Sequence, residues 1–517
     1  MSDDGGDYDV VETSIGRLAD DMAAGRTTSE ALVAAYQARI AAIDAAGPRL
    51  RSVISLSPTA LDEARRLDAE RAAGRVRGPL HGAPVLVKDN IEVGDGTATT
   101  AGSLALQDNV TLRDAPLVAR LKAAGAVILG KTNLSEWANF RSENSISGWS
   151  AVGGLVKNPY ALDRSVGGSS SGTGAAIAAS LAAAGVGTET DGSVTAPSSF
   201  CGLVGLKPTL GLVSRTGVVP IAHSQDTAGP MCRNVADAAL LLSAMAGSDA
   251  ADASTSQADA RRADYVGGLA GATLKGKRLG VARYACARLI SGVGAVFADA
   301  LDLLRREGAE LVELADYRPP EGLGRQEHAV LLHEFKADLN AYLATTPSRV
   351  RARTLAELIA FNRATPRELA LFGQDLFEAA EATTGLDHPD YLAARAGALA
   401  AAGAGGIDKL AAEYRLDALI APSYGPAWRI DLGAGDHGSG RISGLPAIAG
   451  YPHLTVPMGQ VRGLPVGLSF VGRAWTDAAL LALGHAFERA AAARRPPAYL
   501  PTLEADDGVF APASASA

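Results

Sequence analysis

From Thr27 onward the apolar positions fall into helical register. Leu32, Val33, Tyr36, Ile40 and Ile43 share one face, and Thr27 with Glu30 has capping-box spacing, which predicts the first helix of the chain. From Leu86 the pattern becomes one of short apolar runs alternating with helical stretches. A helix over Pro116 to Ala124 ends at Gly125 and leads directly into the strand-like run Ala126 to Leu129. The unit recurs downstream, with a strand over Leu279 to Ala282, a helix over Val293 to Glu307 stopped by Gly308, and a strand over Glu310 to Leu314. Ala418 to Ala421, Leu454 to Val456 and Val466 to Val471 read as further strands, so late sequence is expected to close the sheet, and Thr476 is placed to cap a final long helix. Such alternation predicts an α/β architecture around a mostly parallel or mixed sheet. Residues from about Glu327 to Ala402 are almost wholly helical in pattern and predict an excursion off the sheet, of a kind that packs structurally or covers an active site. Gly247 to Ala263, rich in Ala, Asp and Ser, and the tail over 505–517 are expected to be loosely ordered.

Composition narrows the classes of function. With 517 residues, 47% hydrophobic and 20% charged, the chain has the make-up of a large folded enzyme. A net charge of −8 without a basic run argues against nucleic acid or an anionic membrane as partner. The acidic start MSDDGGDYDV has neither the positive nor the apolar region of a secretory signal, and the most apolar segment, Ala175 to Gly187, is short and broken by Ser180. Cys201, Cys232 and Cys286 form no CxxC pair and leave an odd thiol, so neither a disulfide framework nor a zinc site is indicated. A reducing cytoplasm fits these features.

The densest chemistry lies in RSVGGSSSGTGAAIAASLAAAGVGTETDGSVTAPSSFCGLVGLKPT, residues 164–209, where a small-residue helix is flanked by two glycine- and serine-rich turns. A phosphate loop would need a lysine after the glycines, and Gly172-Thr-Gly174 has none. Asp191-Gly-Ser-Val-Thr195 is not the GxSxG elbow of a Ser-His-Asp hydrolase, SxxK and HExxH are missing, and the eight histidines are scattered singly. A serine activated by a lysine from elsewhere in the chain remains. Lys88, Lys131 and Lys207 each end a short apolar run, and pattern alone does not choose among them.

GGSSSG at 167–172, GTETDGS at 187–193, FCGLVGLKPT at 200–209 and VKDN at 87–90 together resemble the amidase signature family. In that family the nucleophile follows the first serine of the GGSS motif by 24 residues, the separation of Ser169 and Ser193 here. The resemblance implies Ser193 as nucleophile, Ser169 as a relay serine preceded by a cis peptide bond, and Lys88 as base, with Lys131 and Lys207 at structural positions. It implies one large mixed β-sheet core covered by helices on both faces, a single domain over 8–504 with the helical insertion at about 327–402, and no metal or organic cofactor. The commoner family turn has an aspartate at 189, a glycine at 191 and an arginine at 195, so Glu189, Asp191 and Thr195 replace an acid–arginine pair. TETDGS, with EWANFR at 136–141, SISGW at 145–149, SQDTAGPM at 224–231 and FGQ at 372–374, looks like the peptide amidase branch, whose members remove the C-terminal amide from peptides.

A lysine serves as base near neutral pH only if its pKa falls by roughly 3 units, which burial behind Val85-Leu-Val87 would supply provided Asp89 points away. Backbone N–H groups of the turn Thr190, Asp191, Gly192 and Ser193 are the candidates for the oxyanion hole. The expected substrate is a peptide or small-molecule carboxamide. The alternatives are a glutamine-hydrolysing amidotransferase component, which needs a protein partner, and an aryl- or lipid-amide hydrolase, which needs an apolar groove or membrane helix.

Overall fold

The computed structural model describes residues 8–503 apart from 287, 288 and 441; the expected disorder at 505–517 lies outside them. Thirteen strands are present among them: β1 (Val53–Leu56), β2 (Pro84–Lys88), β3 (Val127–Thr132), β4 (Trp149–Ser150), β5 (Gly154–Leu155), β6 (Ala184–Glu189), β7 (Val204–Lys207), β8 (Thr227–Cys232), β9 (Arg278–Val281), β10 (Glu310–Glu313), β11 (Ala418–Pro422), β12 (His453–Val461) and β13 (Leu464–Val471). Eleven of them form one sheet in the order β1-β3-β2-β6-β8-β7-β12-β13-β11-β9-β10, and β4 and β5 make a separate hairpin. The sheet is mixed, because β3, β2 and β6 run parallel, as do β11, β9 and β10, while β8, β7, β12 and β13 join these blocks by antiparallel pairing. The late strands therefore bridge the two halves.

The helical start differs from the sequence expectation. Ile15, Leu18 and Met22 bury one face of α1 (Ile15–Ala23), capped by Ser14, so the helix expected first is the second, α2 (Ser29–Arg39). Its cap is Thr28, which accepts from the Ala31 amide, and not Thr27. The carboxylate of Asp68, on α3 (Ala60–Ala72), accepts from the Ser29 and Glu30 amides at 2.8 and 2.9 Å and so fixes where the helix begins. The helix α4 (Pro116–Ala123) ends as expected, with Gly125 at φ +92° leading into β3.

Two helices build the centre of the molecule. α5 (Ser171–Ala178) follows the first glycine-serine turn and is buried at every position; α6 (Thr195–Phe200) follows the second. Beyond β8 come α7 (Val235–Met245) and the short α8 (Ala258–Arg261). Gly247 to Ala263 is ordered, contrary to expectation, because long-range partners compensate for its polar composition. Asp252 takes Arg215 through three contacts, Asp249 accepts from Ser214 and Thr216 at 2.6 Å each, and Thr255 is buried.

After α9 (Ser291–Arg306) the helical excursion consists of α10 (Leu323–Ala344), α11 (Leu355–Ala364), α12 (Asp375–Glu381) and α13 (Pro389–Ala402), the first three of which pack Phe335, Leu355 and Phe377 into a second core shared with Trp137, Phe140 and Ile221. α14 (Asp408–Tyr414), α15 (Gly444–Ala449) and α16 (Asp477–Ala491) complete the set. Thr476 stands before α16, but its hydroxyl donates back to the Arg473 carbonyl at 2.8 Å instead of capping the helix. Helices cover both faces of the sheet. α16 packs Gly484 against Leu454 and Val456, while α6 lies behind the intervening Thr455, where the Gly467 amide donates to Ser199 at 3.0 Å.

Candidate active site

The site forms where the carboxyl ends of the parallel neighbours β2 and β6 meet the two glycine-serine turns. β2 ends at Lys88 and β6 at Glu189, with Val87 paired to Val186. The Gly168–Ser169 bond is cis, as the resemblance implied. A Cβ on Gly168 would lie 2.4 Å from Ser135 Oγ and 2.5 Å from Asn139 Oδ1, so only glycine permits this packing. The second turn needs its glycine equally, since Gly192 has φ +86° and a Cβ there would come 2.2 Å from the Tyr424 hydroxyl.

Lys88 Nζ lies 2.7 Å from Ser169 Oγ, 2.9 Å from Thr188 Oγ1 and 3.3 Å from the Thr188 carbonyl. Asn90 Nδ2 donates to the same Thr188 hydroxyl at 3.0 Å. Lys88 and Ser169 are fully buried, and desolvation draws the lysine down to about 7, with Asp226 and Glu189 acting in the opposite sense. Asp89 points away. Its carboxylate engages Thr100 and, at 3.4 Å, Lys131.

Lys131 and Lys207 are occupied elsewhere. Lys131 contacts Thr99 Oγ1 at 2.9 Å and the Ala98 carbonyl at 3.3 Å; Lys207 donates to the Pro208 carbonyl at 3.1 Å and lies in the field of Glu189. The geometry therefore separates three lysines that sequence pattern left equivalent: only Lys88 touches a serine of the glycine-serine turns.

Ser193 follows Gly192 in the turn, and its carbonyl accepts from the Ser170 amide at 3.1 Å, which ties the two serine segments together. Its hydroxyl faces a cavity of about 280 Å³, and among the described residues it makes no hydrogen bond to Ser169. Among the same residues the Gly192 and Ser193 amides donate to no protein acceptor, in keeping with a place in an oxyanion hole.

Sequence reasoning missed the supports of this turn. Glu189 is buried and accepts from the Val194 and Thr195 amides at 2.8 and 2.9 Å and from the Thr195 hydroxyl at 3.2 Å. The acid that lacks its arginine thus braces the first turn of α6, with Thr195 as partner. Asp226, of the SQDTAGPM run, takes the Thr190 hydroxyl at 2.6 Å and the Ile221 and Ala222 amides at 2.8 and 2.9 Å, while burial raises its carboxyl to about 6. Both residues lie within motifs; only their partners were hidden.

Two cavities meet at Gly168 and Asp191. The larger, about 580 Å³, is walled by Phe200, Tyr424 and Trp428 with Asp436 and Ser439. The smaller contains Ser193 and is roofed by Glu327, His328 and Leu331 of α10, so the first helix of the excursion covers the second glycine-serine turn.

The amidase family profile matches residues 31–481. The chain belongs to the amidase signature family. Among solved structures it is similar to the native peptide amidase from Stenotrophomonas maltophilia, at 50% identity and a TM-score of 0.89 over 95% of this chain and 99% of that one. A peptide amidase in complex with the competitive inhibitor chymostatin gives 50% identity and 0.91 over 95% and 100%. A probable amidase of Arabidopsis thaliana is 40% identical over 92% of this chain and 89% of its own length. A glutamyl-tRNA(Gln) amidotransferase subunit from Roseiflexus castenholzii is 35% identical over 93% and 96%. The chain is thus an amidase, a hydrolase of amide C–N bonds. Among the described residues no helix is long and apolar enough to cross a membrane, and all three cysteines are free.

Proposed function

We propose that this amidase removes the C-terminal amide of peptides through a Ser193–Ser169–Lys88 relay, releasing ammonia. The observation that carries the reading is the 2.7 Å contact between buried Lys88 and Ser169, whose neighbour Ser170 is tied to Ser193. Neutral Lys88 takes a proton from Ser169 as Ser169 takes one from Ser193, whose Oγ attacks the amide carbonyl. The oxyanion is met by backbone N–H groups of Thr190 to Ser193. The relay then runs backward and protonates the leaving nitrogen, ammonia departs, and water hydrolyses the acyl-enzyme by the same path.

Substrate choice follows from the cavities. The 580 Å³ cavity, with its aromatic wall, suits the acyl-side peptide, and the 280 Å³ cavity under α10 suits a departing group as small as ammonia. Likeness to peptide amidase structures supports the same assignment. In this reading residues 8–504 work as one catalytic unit in a reducing cytoplasm, without nucleic acid. The purified protein is incubated with a dipeptide amide, the matching tripeptide acid and free glutamine, and products are followed by mass spectrometry. Loss of the terminal amide alone is expected; preference for glutamine, or for a fatty-acid amide, overturns the reading in favour of an amidotransferase-type or lipid-amide activity.

A further inference from the structure

The SQDTAGPM run supplies a contact between the helical excursion and the catalytic turn that the relay itself does not use. On α10, Glu327, Glu334 and Asp338 are spaced 7 and 4 residues apart and so share one face. Segment 221–226 lies along it: the Ser224 amide donates to Glu334 at 2.9 Å, the His223 amide and ring Nδ1 reach Asp338 at 2.8 and 2.9 Å, and Gln225 Nε2 meets Glu327 Oε1 at 3.0 Å. The Gln225 Nε2 also lies 3.3 Å from the Thr190 carbonyl. A primary amide has two N–H groups, so both acceptors are served at once.

We infer that Gln225 is a positioning residue for the oxyanion turn, through which α10 sets the direction of the Asp191 backbone N–H. The physical link is the peptide plane. The Thr190 carbonyl and the Asp191 N–H belong to one rigid trans unit and point in opposite directions, so a hydrogen bond that holds the carbonyl on one side aims the N–H to the other. Asp191 lines both cavities at that point. Asp226 fixes the Thr190 side chain in the same bracket, which leaves the carbonyl as the part that Gln225 alone restrains from the side chains of segment 221–226.

The inference rests on the proposed amide hydrolysis, and its test separates the two. Gln225→Leu and Gln225→Met keep the bulk and remove the donors. Losing one oxyanion-hole donor outright costs about 10²–10³ in kcat, so misaiming one is expected to cost roughly 10–100-fold in kcat with KM within about twofold. A peptide aldehyde, whose adduct places an oxyanion in the hole, is expected to lose affinity in proportion, while the peptide-acid product binds unchanged. A variant with unaltered kcat, or one in which aldehyde and product affinities fall together, overturns the inference; the two substitutions guard against a folding defect in either. A wild-type protein that neither hydrolyses the peptide amide nor binds the aldehyde overturns the proposed function instead.

Discussion

At the residue scale the proposed relay depends on an amine kept dry. Lys88 falls to about 7 because burial disfavours its charged form, and the base must be neutral to accept a proton. Activity is therefore expected to rise about tenfold per pH unit below 7 and to level off above it, measured as kcat/KM against pH. The stability consequence has a defined sign. The unfolded lysine keeps its proton up to about 10.5 and the folded one only to about 7, so between these values the unfolded state binds more protons and stability rises with pH. Below 7 the buried ammonium carries its full cost, on the order of 5 kcal/mol. Lys88→Met is expected to abolish hydrolysis yet raise Tm, more at pH 6 than at pH 9; a Tm gain that grows with pH would contradict this. Ser169→Ala is expected to keep more activity than Ser193→Ala, since a water replaces a relay hydroxyl in part but no group replaces the nucleophile. Steady-state rates on one peptide amide compare the two.

At the scale of elements, three of the motifs that resemble peptide amidases, EWANFR, SISGW and FGQ, prove to be one structural joint. Arg141 of EWANFR pairs with Glu136 at 2.8 Å, both fully buried, donates to the Phe372 and Gly373 carbonyls at 3.2 and 2.9 Å, and stacks 4.1 Å from the Phe372 ring centre. Trp149 of SISGW packs on Phe372 edge to face, with centroids 5.3 Å apart. Glu368 lies beside Glu136 and raises it further, so removal of Arg141 leaves two buried acids uncompensated. Arg141→Ala is expected to cost about 3–5 kcal/mol in a urea titration, and Arg141→Lys to recover little, because an ammonium lacks the planar fork that spans carboxylate, carbonyls and ring. These motifs were visible in sequence, but their joining was not, as 136–149 and 368–374 are distant in the chain. The same limit explains two of the misplaced features. Periodicity found α2 but not its first residue, because Asp68, far downstream, supplies the first-turn acceptors. Composition predicted loose order at Gly247 to Ala263, which Arg215 and Ser214 hold from outside the segment. Elements with local causes, such as the α4 to β3 turn at Gly125, were read correctly.

At the scale of the whole molecule, β8, β7, β12 and β13 join the early parallel block to β11, β9 and β10, and α10, the first helix of the excursion, returns over the carboxyl end of the early block. The chemistry sits at β2 and β6, while its cover and the aromatic wall at Tyr424 and Trp428 come from sequence more than 130 residues later. Lys88, Ser169 and Ser193 are aligned by the resemblance; pattern alone leaves Lys88, Lys131 and Lys207 equivalent, and of these three the fold brings only Lys88 against a serine of the turns. In the proposed mechanism Ser193 alone forms the covalent intermediate. Reaction of the purified protein with a fluorophosphonate, followed by peptide mapping and by residual peptide-amide hydrolysis, tests it most directly. The expected result is a single adduct on Ser193, loss of hydrolysis in proportion to labelling, and no adduct in Ser193→Ala. An adduct on another residue, or hydrolysis that survives complete labelling of Ser193, would contradict the account.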